Sequence, residues 1–157
     1  MKCGLGCAAA AVALFLASGS IFADAGHGGS KSSFGSPGVE SAVTKVVKVE
    51  ANDHMRFVFD RTDISRGDVV KFVVRNTGKV RHEFSIGDAA SQRAHAAMMR
   101  KMPGMVHHDP NMLTLEPGET KTLIWRFDRP LAGKIVFACH EPGHNEAGMN
   151  LQLALKK

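Results

Sequence analysis

Cys139-His140-Glu141-Pro142-Gly143-His144-Asn145-Glu146-Ala147-Gly148-Met149 places a thiol, an imidazole and a thioether at a repeated spacing of five, at positions 139, 144 and 149. The residues between them include the turn formers Pro142, Gly143, Asn145 and Gly148, so the stretch reads as a loop and not as a helix face. A loop that bends twice points all three donors at one place. A second imidazole must then come from elsewhere in the chain. His82, in Asn76-Thr77-Gly78-Lys79-Val80-Arg81-His82-Glu83-Phe84, is the best candidate.

A thiolate, two imidazoles and a weak axial thioether form the ligand set of a blue-copper site. Cys-x4-His-x4-Met, preceded by Asn-x5-His, resembles the cupredoxin family of plastocyanin and azurin, over about Val43 to Lys157. The Met/His-rich middle and the Pro-Gly-His-x-x-Ala-Gly-Met ending are similar to periplasmic cupredoxins of bacterial copper tolerance, the CopI-like group. The resemblance implies one type-1 copper held by His82, Cys139, His144 and Met149. It also implies that Asn76 hydrogen-bonds near the ligand loop; a plain turn-forming role for Asn76 is equally open. Phe137-Ala138 ends an apolar run before Cys139, which would bring the sulfur out at the rim of a dry core.

The chain has 157 residues, enough for one domain with a real core. Its first part does not read as fold. Met1-Lys2, the small apolar run Leu5 to Ala17, and a small-residue cleavage site near Ala23 or Ala25 read as a secretory signal peptide. The apolar run is short for a span of about 20 residues. The expected organisation is a leader over 1–23, a flexible segment over 24–41 and a cupredoxin domain over 42–157. Export places the protein in the periplasm, with no membrane insertion once the leader is cleaved. Cys3 and Cys7 leave with that leader, so Cys139 remains alone and has no disulfide partner. A metal that holds the thiolate resolves that liability. The formal charge of +5 is modest and its basic residues are scattered, which argues against a nucleic-acid partner.

Gly26 to Glu40 is Gly/Ser-rich with Pro37, hence the flexible lead, and His27 within it reads as a solvated tail residue. From Val43 onward β-branched and aromatic runs of strand length begin: Val43 to Val49, Met55 to Phe59, Val69 to Val74. Later runs are His82 to Ile86, Met112 to Leu115, Thr120 to Phe127, Lys134 to Cys139 and Asn150 to Leu155. Short strands separated by turn signals predict an all-β Greek-key β-sandwich or barrel. One helix is inserted around 89–102, with Asp88 as N-cap and Pro103-Gly104 as its stop.

Five of the eight methionines fall between positions 98 and 112. Met98, Met99, Met102, Met105, His107, His108 and Met112, with His95 upstream, are ligand types suited to soft Cu(I). The competing reading is a Met stripe that packs the helix onto the sandwich. The resemblance to copper-tolerance cupredoxins favours an accessory Cu(I) site. His140 reads as a surface histidine or as a support to its ligand neighbour. The absence of His-x-His pairs argues against a multicopper oxidase. The expected function is copper handling in copper tolerance, by a monomer with a redox partner or a copper exporter. A one-electron carrier is the alternative.

Overall fold

The computed structural model describes Met1 and residues 32–102, 106, 108–129 and 133–157. In chain order the strands are β1 (Ser36–Pro37), β2 (Lys45–Asn52), β3 (Arg56–Phe59), β4 (Val69–Asn76) and β5 (His82–Gly87). The helix α1 (Ala89–Lys101) follows, then β6 (Met112–Leu115), β7 (Thr120–Arg126), β8 (Ile135–Ala138) and β9 (Asn150–Leu153). They form two sheets, one in the order β1-β7-β4-β2-β3 and the other β6-β5-β8-β9. The chain passes between sheets from β4 to β5 and from β7 to β8, as Greek-key connection requires. This is the expected all-β sandwich with one inserted helix.

Period-2 patterning builds the core. In β2, Val47, Val49 and Ala51 point inward while Lys48 and Glu50 face water. Between the sheets Phe84 and Phe137 stack with ring centroids 5.6 Å apart. Phe72 packs 5.5 Å from each of them. The aromatic floor therefore lies directly beneath the start of β5 and the end of β8.

The sandwich begins before the expected boundary at residue 42. Phe34 is buried and stacks on Trp125 at 5.5 Å, and Ser36–Pro37 pairs with β7. The part of the segment read as a flexible lead that starts at Phe34 is thus docked. Its driving force is one aromatic contact in an otherwise Gly/Ser-rich stretch. Residues 2–23 of the leader and His27 lie outside the described residues, as does the Pro103-Gly104 stop.

The helix starts where Asp88 predicts it. Asp88 accepts from the Ser91 backbone N–H at 2.7 Å, and the Ser91 hydroxyl accepts from the Asp88 N–H at 2.9 Å, closing a capping box. At Gly87 a Cβ would lie 2.5 Å from Ser91 Oγ, so the first turn of α1 reaches β5 only because that position is glycine. With α1 on one side and the core on the other, all six residues of β5 are buried. Phe84 and Ile86 face the aromatic core, and Ser85 faces α1, where its hydroxyl donates to Gln92 Oε1 at 3.0 Å.

Candidate metal centre

The strands set the first two donors. His82 opens β5 and Cys139 directly follows β8, both fully buried above the aromatic floor. The loop from Cys139 then makes two successive turns. His144 N–H donates to Glu141 O at 3.0 Å, Ala147 N–H to Gly143 O at 3.0 Å, and Gly148 N–H to Asn145 O at 2.9 Å. Main-chain bonds close the loop on itself, Met149 N–H to His144 O at 3.0 Å and Cys139 N–H to Met149 O at 3.1 Å. The turns thus bring Met149 back onto His144, five residues earlier, and onto Cys139. Gly148 adopts φ +99°, a region that disfavours a side chain. Arg56 lies beside it and donates to Ala147 O at 2.8 Å.

These constraints bring the donor atoms together. His82 Nδ1 and His144 Nδ1 are 3.2 Å apart, and Cys139 Sγ is 3.4 Å from His144 Nδ1. The ligand atoms of the three residues all lie within 4.8 Å of one another. Met149 is buried against Cys139 and Ala51, with Met55 and Phe57 packed around them.

Burial dominates the electrostatics. It pushes the Cys139 thiol up to about 12, against the opposing pull of the Glu83 and Glu141 backbone N–H groups. Burial also lowers the pKa of His82, with His144 beside it adding to the effect, and burial lowers His144. Both rings are thereby held neutral, with their Nδ1 atoms converging on the thiol. Two imidazole nitrogens that face each other beside a sulfur are electron-pair donors that a cation bound among them would satisfy together. One thiolate, two imidazoles and a buried thioether fit copper, because the soft sulfurs suit Cu(I) and the nitrogens suit both oxidation states. A metal held by His82, Cys139 and His144 would take the place of the thiol proton.

Asp53, Arg81 and Glu83, which the sequence did not single out, support these donors. Asp53 Oδ1 lies 3.5 Å from His82 Nε2, long for a hydrogen bond but facing the nitrogen opposite the donor atom. The same carboxylate accepts the Lys79 N–H at 3.0 and 2.8 Å. Arg81 grips Glu141 with two bonds, Nε at 2.8 Å and Nη2 at 3.1 Å, tying the residue before His82 to the ligand loop. Glu83 donates its backbone N–H to Cys139 Sγ at 3.3 Å. Asn76 is fully buried and donates to Val80 O at 2.8 Å and Leu115 O at 3.1 Å. It also accepts the Gly78 N–H at 2.9 Å. It therefore orders the turn that leads into His82, and the N–H that meets the sulfur comes from Glu83.

The structure separates the other histidines and methionines. His140 is only 7% exposed, which excludes a surface role; its Nε2 meets Gln92 Oε1 of α1 at 2.7 Å. His95 Nε2 sits 2.9 and 3.0 Å from the two Glu83 carboxylate oxygens. Met99 is buried, Met98 half-buried and Met102 38% exposed. Met112 is buried in β6, and His108 is exposed. Met105 and His107 lie outside the described residues. Met99 and His140 line one cavity of about 290 Å³ between α1 and the ligand loop.

No family model matches the chain. It is 45% identical over 119 residues to the copper-resistant cuproprotein CopI of Vibrio cholerae, spanning 75% of this chain and 69% of that protein. The chain belongs to the CopI family. It is also 41% identical over 116 residues to CopI of Rubrivivax gelatinosus, spanning 74% of this chain and 69% of the relative. A third CopI, from Pseudomonas aeruginosa, is 32% identical over 152 residues and is covered over 82% of its length. Among solved structures, auracyanin B superposes with a TM-score of 0.58 at 22% identity, covering 79% of this chain and 97% of that one. The auracyanin of Roseiflexus castenholzii gives 0.53 at 21% identity, covering 74% and 99%. These likenesses assign the CopI-family chain the cupredoxin fold.

Proposed function

We propose that this CopI-family chain is a periplasmic type-1 copper protein that binds and handles copper in copper tolerance and is redox-active. The observation that carries the proposal is the convergence of His82 Nδ1, His144 Nδ1 and Cys139 Sγ in a buried pocket. Relatives whose names declare a copper-resistant cuproprotein support the same reading. Copper held there supplies a one-electron Cu(I)/Cu(II) couple. His82 and His144 present neutral imidazole nitrogen, Cys139 presents the thiolate, and Met149 adds a weak axial sulfur. The aromatic floor beneath and the buried Met149 beside them keep water from the donors, which limits loss of metal and tunes its potential.

The function extends to an accessory Cu(I) site in the Met/His segment, drawn from His95, Met98, Met99, Met102, Met105, His107, His108 and Met112. Five methionines between positions 98 and 112 suit a protein that takes up copper, and a simple carrier has no use for them. The leader-like start of the sequence supports export, after which the domain acts without a membrane span. Among the described residues no helix is long and apolar enough to cross a membrane. Copper ions are the first partner, and a redox protein or a copper exporter is the second.

The test is an anaerobic Cu(I) titration of the leader-free protein beside Cys139→Ala. The proposal expects more than one copper in the wild type, with tight binding surviving in the variant. A single copper, lost entirely with Cys139, would sink the accessory site. The protein would then be a one-electron carrier, its half-exposed His144 the place where electrons leave.

A further inference from the structure

The two strands that carry ligands have two working faces. Along β5, Phe84 points with His82 toward the core, while Glu83 and Ser85 point toward α1. At the end of β8, Phe137 and Cys139 share the core side, and His140 turns to α1. Each strand ligand is therefore followed by a residue on the opposite face, and α1 holds both of those neighbours. Gln92 Oε1 meets His140 Nε2 at 2.7 Å and accepts the Ser85 hydroxyl at 3.0 Å. Its Nε2 donates to Val136 O at 2.8 Å. His95 meets both carboxylate oxygens of Glu83, and its ring stands edge-on to His140 with centroids 5.0 Å apart.

Glu83 joins this network to the sulfur. Its carboxylate, on a residue only 2% exposed, is anchored by His95, and its main-chain N–H donates to Cys139 Sγ at 3.3 Å. The direction and length of that N–H···S bond depend on how the 82–83 peptide is held. Hydrogen bonding around a ligating sulfur is one of the controls on a copper–thiolate site.

We propose that α1 is a clamp on the copper site, with His95 and Gln92 as positioning residues that set its electronic character through Glu83 and His140. The proposal rests on the assignment of His82 and Cys139 as ligands. The bond from Glu83 N–H withdraws electron density from the thiolate and so favours Cu(I). Loosening the clamp lengthens that bond, strengthens sulfur donation to Cu(II) and lowers the reduction potential. This gives the inserted helix a task apart from any methionine it carries. The polar residues Gln92 and His95 on its buried face are then functional features of a surface that apolar side chains would otherwise fill.

The experiment compares wild type, His95→Leu and His95→Gln. The two variants carry no charge at this position, and Gln alone keeps a donor for Glu83. Three quantities are read: the thiolate-to-copper absorption after Cu(II) loading, the reduction potential, and the exchange rate of the Glu83 amide in metal-free protein. The clamp expects His95→Leu to shift the band, lower the potential and speed exchange of that amide, with His95→Gln restoring much of each. If His95→Leu does not fold, Gln92→Leu, which cuts the bond to His140, takes its place with the same expectation. Band, potential and Glu83 exchange all unchanged in a folded, coloured variant would overturn the clamp and leave the ligand assignment standing. A wild type that shows no thiolate-to-copper band would remove the ligand assignment, and the clamp with it.

Discussion

The ligand loop over 139–149 and the segment over 95–112 both carry soft donors at short, regular intervals, yet the fold treats them in opposite ways. In the loop, two successive main-chain turns and the bonds from Met149 N–H to His144 O and from Cys139 N–H to Met149 O bring positions five apart back beside one another. In α1, a 3.6-residue period spreads neighbouring donors around a cylinder. Met99 is buried, Met98 half-buried, and Met102 leans into solvent. His95 turns to Glu83 instead of a methionine. Equal spacing thus means convergence where the backbone is folded back on itself and dispersion where it is helical. The loop, together with His82, brings its donors close to one another, whereas the helix holds its donors apart.

The largest effect should come from removing the donor on which the loop converges. Cys139→Ala deletes the only thiol among the described residues and with it any intense blue or green absorption on Cu(II) loading. Visible spectra of the loaded wild type and variant decide the matter; colour retained in the variant would mean that the loop is not the copper site. The same change removes the acceptor of the buried Glu83 N–H, so unfolding of the metal-free variant should show a loss of about 1–3 kcal/mol, partial where the loss of colour is complete. That contrast separates a metal ligand from a packing residue.

A smaller effect tests what holds the loop over its partner strand. Arg81 and Glu141 join the residue before His82 to the second residue after Cys139. Glu141 is nearly buried and its carboxylate is satisfied by Arg81 on two bonds. Arg81→Met leaves that carboxylate without its partner and should cost about 1–3 kcal/mol. Denaturant unfolding of the metal-free protein measures it. An unchanged midpoint would mean that the loop is held by its own turns alone.

How far the molecule was legible in its sequence follows from the range of the forces involved. The strands were legible because β-branched runs and turn residues act locally, and α1 because Asp88 caps its own helix. Cys139, His144 and Met149 were legible because a loop with fixed turns converts spacing into proximity, and His82 because its Asn-x5-His segment resembles that of the cupredoxins. The docking of Phe34 on Trp125 was not legible, since the contact bridges sequence-distant residues and its flanks read as linker. Nor were the partners of Glu83 and His140. Each alternates with an inward-facing ligand and looks like a solvent-facing residue until α1 is laid across it. Asp53 was not legible either, since only the fold carries it to within 3.5 Å of His82 Nε2.

The smallest effect bears on the other half of the comparison. Met102 caps the C-terminal end of α1, where its N–H donates to Met98 O at 3.1 Å, and its side chain is 38% exposed. Replacing it with leucine keeps the volume and the apolar character, and little packing is at stake there. Met102→Leu should therefore change stability by less than about 0.5 kcal/mol. If the segment is only a packing stripe, Cu(I) stoichiometry stays at the wild-type value as well. If thioethers are gathered there around an ion, Cu(I) affinity at the second site falls while the unfolding midpoint does not move. A loss of sulfur alone, with shape conserved, is felt only by a metal. The side chain in the segment that matters least to the fold is thus the most sensitive reporter of whether its dispersed donors are ever brought together.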